Sequence, residues 1–176
     1  FVHFAKSPRH VEADRIAALT AIVPANVERV AVLVDPDDEQ LARLTAAGAL
    51  TALQLHGKES PQRVAAIRQR FALPVWKAIS VKTRADIDAA ALYHGAADMI
   101  LFDAKTPDGA ALPGGMGLRF DWELLRGAAL SIPWGLSGGL GIDNICEATR
   151  MTGAPLVDVS SGVESAPGIK SVDKIM

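Results

Sequence analysis

Leu156-Val157-Asp158-Val159-Ser160-Ser161-Gly162-Val163-Glu164 is a short apolar run of strand length that stops in two hydroxyls and a glycine. A buried strand ends this way when the following loop must bring backbone N–H groups close to an anion. Glycine permits the approach, and a short helix start supplies partial positive charge. The pattern recurs upstream, where Trp134-Gly135-Leu136 runs into Ser137-Gly138-Gly139-Leu140. Two consecutive strand ends with Ser/Gly loops, one β-α unit apart, point to a phosphate site shared between them. In a (β/α)8 barrel that site follows the seventh and eighth strands.

Working outward, apolar strand-like runs alternate with amphipathic helical stretches. The expected strands are Phe1–Phe4, Arg29–Val34, Ala52–Leu55, Val75–Ile79, Met99–Phe102, Ile132–Leu136 and Leu156–Val159. From the second onward their starts are spaced by about 23 to 24 residues, with one longer step after Met99. That period argues for repeated βαβ units and a parallel sheet. Continuous rather than alternating apolar runs fit strands covered by helices. Ser60-Pro61 reads as an N-cap with proline at the first helical position, and Val64, Ile67 and Phe71 then share one face. Thr83-Arg84-Ala85-Asp86 resembles a capping box with Asp in place of Glu. Ile142, Ile145, Cys146 and Thr149 repeat at i, i+3, i+4, i+7, which predicts a helix with Cys146 in the core.

A doubly wound open sheet could also use these strands. Against it, no G-x-G-x-x-G follows an early strand, and the anion loops come late in the chain. The expected fold class is therefore α/β, a (β/α)8 TIM barrel with strands two to eight represented. Residues 1–176 are expected to form a single barrel domain. Phe1 is not Met and already sits in a strand-like run, and Ser171–Met176 reads as the first turn of a helix. Both ends read as cut, with about 30 residues, one βα unit, expected before Phe1.

Composition narrows the class. The chain of 176 residues can bury a sizeable core, nearly half of it is apolar, and the formal net charge is −2. Interspersed charges give no nucleic-acid surface and no membrane patch. One cysteine excludes an internal disulfide framework and a Cys-rich metal site. No apolar run approaches the roughly 20 residues that a membrane span needs. No signal peptide begins at Phe1. The reading is a cytoplasmic protein.

In a parallel barrel the active site lies at the C-terminal strand ends. The candidates there are Arg9, Asp35, His56, Lys77, Ser80, Asp103, Ser137, Asp158 and Ser160. Met99-Ile100-Leu101-Phe102 delivers Asp103 into the mouth, where a carboxyl can act as general acid; equally, Asp is a common strand-end cap. The long glycine-rich loop Ala104–Gly117 accounts for the longer step in the repeat and reads as a lid rather than a surface insertion. Arg9, just past a strand end, suits a bidentate carboxylate clamp, or is a solvated surface arginine. His56 could be a general base or a hydrogen-bonding and packing residue.

Ser7-Pro8-Arg9, Gln54-Leu55-His56-Gly57, Phe102-Asp103-Ala104-Lys105, Pro113-Gly114-Gly115-Met116-Gly117 with Phe120-Asp121-Trp122, Leu136-Ser137-Gly138-Gly139-Leu140 and the Asp158–Glu164 segment occur in the order of one family. The chain resembles the phosphoribosylanthranilate isomerases of tryptophan biosynthesis over essentially its whole length. The resemblance implies a barrel that uses no metal and no cofactor. It implies an Amadori rearrangement of N-(5-phosphoribosyl)anthranilate to 1-(2-carboxyphenylamino)-1-deoxyribulose 5-phosphate. It makes Asp103 the general acid, puts Arg9 on the anthranilate carboxylate, adds His56 to the substrate site and puts Asp158 near the sugar. Gly138, Gly139, Ser160, Ser161 and Gly162 match the phosphate loops, and Gly115 and Gly117 match the loop closing over the substrate.

One departure stands out. The family's general base is a cysteine in a Cys-Gly motif on the first barrel strand. No such motif is present in this chain, and Cys146 does not replace it. An inactive or non-catalytic phosphosugar-binding barrel is the alternative on that ground. Indole-glycerol-phosphate synthase and ribulose-phosphate epimerase fit less well, since Lys77 alone or His56 alone does not supply their catalytic sets. The expected partner is a small phosphosugar, with no nucleic acid and no membrane; monomer and homodimer both remain open.

Overall fold

The computed structural model describes residues 1–104 and 118–176. Most of the expected lid, with Gly115 and Gly117, lies outside the described residues. The chain divides into two compact units. One is Phe1–Lys77 with Gly95–Asp98; the other is Ala78–His94 with Met99–Met176.

The first unit runs α1 (Ala13–Thr20), β1 (Val30–Leu33), α2 (Asp38–Ala47), β2 (Ala52–Leu55), α3 (Pro61–Phe71) and the start of β3 (Val75–Val81). β1 and β2 pair in parallel from Val30↔Ala52 to Leu33↔Leu55, and β2 pairs in parallel with β3 from Leu53↔Val75 to Leu55↔Lys77. Every residue of β2 is buried, as expected for a parallel strand covered on both faces. Ile16, Leu41, Leu44, Val64 and Ile67 supply the buried helix faces, against Leu33, Leu53 and Leu55. Ser60 caps α3 by accepting from the Arg63 N–H, with Pro61 in the first turn, as the sequence predicts. Asp37 caps α2 in the same way through Gln40. In the first turn of α2, the hydrogen bond from the Arg63 guanidinium holds the Asp38 carboxyl below its ordinary value, with the charges of Arg63 and Arg70 acting in the same direction.

The first expected strand is shorter than predicted. Val2 forms only isolated parallel bridges, to Val32 and His10. Val32 N–H donates to the Phe1 carbonyl at 2.7 Å and His3 N–H to the Val32 carbonyl at 2.8 Å. The chain then turns, with Ser7 N–H bonded back to Phe4 at 2.8 Å, so the run ends before a ladder can extend.

The second unit continues β3 and then carries α4 (Arg84–Asp88), a 3-10 turn (Ala89–Tyr93), β4 (Met99–Ala104), a 3-10 turn (Trp122–Leu125), β5 (Trp134–Leu136), α5 (Ile145–Thr152), β6 (Glu164–Ala166), β7 (Ile169–Lys170) and α6 (Val172–Ile175). Its sheet order is β3-β4-β5, with β4 and β5 parallel from Ile100↔Trp134 to Phe102↔Leu136. The Thr83–Asp86 capping box is present. β4 extends two residues past Phe102, so Asp103 lies within the strand and not after it. β5 starts at Trp134 rather than Ile132, because Pro133 has no N–H to give to a ladder.

Two expectations need correction in this unit. Leu156–Val159 is an isolated bridge, Leu136↔Val157, not a ladder strand. It is held to β5 by Leu136 N–H to the Leu156 carbonyl at 2.9 Å and Asp158 N–H to the Leu136 carbonyl at 2.8 Å, too few bonds to propagate. Cys146 is exposed, not core. The helix begins at Ile145, so Ile142 lies outside it, and the buried position is Ala148. Among the described residues, no helix is long and apolar enough to cross a membrane.

Candidate active site

In the second unit, the end of β4, the loop after β5 and the Val157 bridge lie side by side. Asp103 is 4% exposed near the end of β4, and its Oδ1 accepts from the Ala104 N–H at 2.8 Å. Ser137 follows β5; its N–H donates to the Phe102 carbonyl at 2.8 Å and its hydroxyl donates to Asp158 Oδ2 at 3.1 Å. Parallel pairing thus places the ends of β4 and β5 and the Val157 bridge side by side, and Asp158 is oriented by Ser137.

Glycine lets the phosphate-loop candidates approach this point. Gly138 has φ +88°, a backbone conformation that suits glycine, and a Cβ there would lie 2.6 Å from Asp103 Oδ1. The carboxyl and the loop backbone are therefore in direct apposition. Gly162 forms a parallel bridge with Gly141, and a Cβ on it would fall on the Leu140 carbonyl oxygen and 2.7 Å from Gly141 Cα. Those neighbours are backbone and cannot swing aside. Gly162→Ala is expected to force the two loops apart at a cost of about 1–3 kcal/mol, read as a lower denaturant midpoint. An unchanged midpoint would show that the loops are not packed this closely.

Asn144, absent from the predicted set, ties the first loop. Its Oδ1 accepts from the Gly141 N–H and its Nδ2 donates to the Gly139 carbonyl, both at 2.9 Å. Gly139, Gly141, Asn144, Ser161, Gly162 and Lys174 are among the residues lining a concavity of about 450 Å³. Of the predicted phosphate residues, Gly139, Ser161 and Gly162 line it. Ser160 instead receives the Lys170 ammonium, at 2.8 Å on its carbonyl and 3.2 Å on its hydroxyl.

The first unit holds the remaining candidates. Arg9 is half-buried, and its N–H donates to the Ser7 hydroxyl at 3.1 Å. His56 is anchored by its N–H to the Leu33 carbonyl at 2.7 Å, with the Gln54 amide 3.4 Å from its Nδ1. Asp35 has φ +45°, which Asp tolerates better than most residues, and its Oδ1 accepts from the Lys58 N–H at 2.6 Å. Ser80 is exposed.

Sequence reading missed the centre of this region, a buried ion pair. Lys77 Nζ lies 3.0 Å from Glu59 Oε2, with side chains 3% and 2% exposed. Lys77 also donates to the Leu55 carbonyl at 3.2 Å and the Gly57 carbonyl at 2.8 Å. Glu59 accepts from the N–H groups of Asp35, at 2.8 Å, and Gly57, at 3.1 Å. The pair fastens the loop after β1 to the loop after β2, the one that carries His56.

The model of the N-(5'-phosphoribosyl)anthranilate (PRA) isomerase family matches residues 1–176. The isomerase of Paramagnetospirillum magneticum is 53% identical over 174 residues, covering 99% of this chain and 81% of that protein. That of Zymomonas mobilis subsp. pomaceae is 52% identical over 176 residues, covering 99% and 82%. Among solved structures, the phosphoribosyl anthranilate isomerase of Thermotoga maritima superposes with a TM-score of 0.87 at 34% identity, covering 99% of this chain and 82% of that one. A phosphoribosyl anthranilate isomerase in complex with reduced 1-(o-carboxyphenylamino)-1-deoxyribulose 5-phosphate superposes at 0.84 with 31% identity, covering 99% and 81%. With the whole chain matched and more than half of the aligned residues identical to the Paramagnetospirillum and Zymomonas isomerases, the fold is that of the TIM-barrel isomerases, and the chain belongs to the N-(5'-phosphoribosyl)anthranilate isomerase family.

Proposed function

We propose that this chain isomerises N-(5'-phosphoribosyl)anthranilate, a small phosphosugar, to 1-(2-carboxyphenylamino)-1-deoxyribulose 5-phosphate, as a cytoplasmic step of tryptophan biosynthesis. The observation that carries the reading is the apposition of a buried carboxyl, Asp103, with the glycine backbone of a phosphate-type loop at Gly138. A phosphosugar anchored by its phosphate on such a loop presents its ring to a nearby acid.

Asp103 donates a proton to the furanose ring oxygen, and the bond between that oxygen and C1 breaks. The nitrogen lone pair forms the Schiff base. A base then removes the C2 proton, the C–H electrons form the C1–C2 double bond, the C1–N π pair returns to nitrogen, and an enolamine results. Proton return to C1 and loss of the C2 hydroxyl proton give the ketose, so the atoms of substrate and product balance. The acid step opens the ring to the iminium that accepts the C2 electrons, and needs a proton held at Asp103 within hydrogen-bond reach of the ring oxygen. Asp158, oriented by Ser137, is assigned to the sugar hydroxyls, and Arg9 to the anthranilate carboxylate. Gly139, Ser161 and Gly162, with Gly138 and Ser160, are assigned to the phosphate. The family's base, a cysteine, has no counterpart among these residues, and Cys146, exposed on α5, is not given that role.

The test is a fluorescence assay with freshly generated phosphoribosylanthranilate on the full-length protein. The expected result is consumption of the substrate. Tight binding without consumption would contradict the isomerase reading.

A further inference from the structure

We propose that Lys170 is a positioning residue of the phosphate loop, holding Ser160 so that its hydroxyl proton points to the anion. The proposal rests on the reading of Ser160–Gly162 as a phosphate loop.

The β6–β7 hairpin is otherwise hard to account for. Its paired strands are three and two residues long, and all of it except Glu164 is exposed. A two-stranded hairpin of this size contributes little stability by itself. Its register, Glu164↔Lys170 with a turn at Gly168, carries the chain back beside the loop it has just left. There the Lys170 ammonium meets the Ser160 carbonyl at 2.8 Å, the Ser160 hydroxyl oxygen at 3.2 Å and Glu164 Oε1 at 2.9 Å. An ammonium has three donors and no acceptor, so these contacts use all three. The Ser160 hydroxyl therefore accepts from Lys170, and its single proton must be given elsewhere. An anion seated on the loop is the acceptor that such an arrangement suits.

Charge points the same way. Glu164 is buried, with its side chain 5% exposed, and neutralises Lys170 locally. Lys170 thus acts through the geometry of Ser160 rather than as a bare counter-ion for phosphate. Lys174 reinforces the segment by donating to the Glu164 carbonyl at 2.7 Å, and Ser171 N–H bonds the Val163 carbonyl at 2.8 Å.

The experiment compares Lys170→Met, Lys170→Arg, Ser160→Ala and the Lys170→Met/Ser160→Ala double variant in the full-length protein. The readouts are the Kd for inorganic phosphate and the kcat and KM for phosphoribosylanthranilate. Lys170→Met is expected to weaken phosphate about tenfold and raise KM similarly, as for loss of one charge-assisted hydrogen bond, with kcat within about twofold. Lys170→Arg is expected to retain most of the affinity. In the Ser160→Ala background, Lys170→Met is expected to cost little more, because the two residues act through one hydrogen bond. Unchanged phosphate affinity in Lys170→Met overturns the proposal, and so does an equal loss with and without the Ser160 hydroxyl. A parent protein that does not bind phosphate at all overturns the phosphate-loop reading itself, before any lysine is changed.

Discussion

Asp103→Asn is expected to lower kcat for phosphoribosylanthranilate by about a thousandfold or more, with a much smaller change in KM. General acid catalysis contributes about 10²–10⁴, and a side-chain amide has no proton of suitable acidity to give to a ring oxygen. The substitution is nearly isosteric. The contact with the Ala104 N–H, at 2.8 Å in the parent, survives through the amide oxygen. Stability should therefore change little, which separates chemistry from folding. Single-turnover measurement of substrate fluorescence, with a denaturation curve on the same sample, checks both halves. A variant that folds normally and keeps parental kcat would remove Asp103 from the acid role.

The second large effect is on stability. Lys77→Met is expected to cost about 3–5 kcal/mol, because it removes the ammonium that faces the buried Glu59 carboxyl. The pair lies 3.0 Å apart with both side chains almost fully buried, so solvent cannot replace the lost partner. Adding Glu59→Gln should recover part of the loss. The amide oxygen still accepts from the Asp35 and Gly57 N–H groups without carrying a charge. Denaturant unfolding of the single and double variants is the check. A loss below about 1 kcal/mol in Lys77→Met would place the pair among weak, exposed-type ion pairs.

These two residues also show what the sequence discloses and what it hides. Asp103 was legible because a continuous apolar run, Met99–Phe102, leads straight to it, and a strand that apolar is necessarily covered. The same logic found β2 and the heart of β3, and the Ser/Gly loops after β5 and Val159 announced themselves by residue type. Glu59 was not legible. It stands in Gly57-Lys58-Glu59-Ser60, which reads as a solvated loop before a helix cap, and its partner Lys77 lies on the next strand. Only tertiary pairing buries them together. Lys170 was hidden for a similar reason: a three-residue strand and a two-residue strand leave no periodicity to detect.

The failures have physical causes as well. Phe1–Phe4 and Leu156–Val159 have strand composition, but composition does not set how far a ladder runs, and beside β1 and β5 each forms isolated bridges. Cys146 was misplaced because the helical count was started at Ile142, three residues before α5 begins. A periodic pattern fixes a face only once the first helical residue is known.

The most direct test of the central claim is the fate of the ribose C2 carbon. Phosphoribosylanthranilate labelled with carbon-13 at C2 would be followed by NMR during turnover by the full-length protein. The account predicts that the label moves from a carbinol signal to a ketone signal while the nitrogen–C1 bond stays intact. Release of free anthranilate and ribose 5-phosphate, with the label still a carbinol, would contradict it.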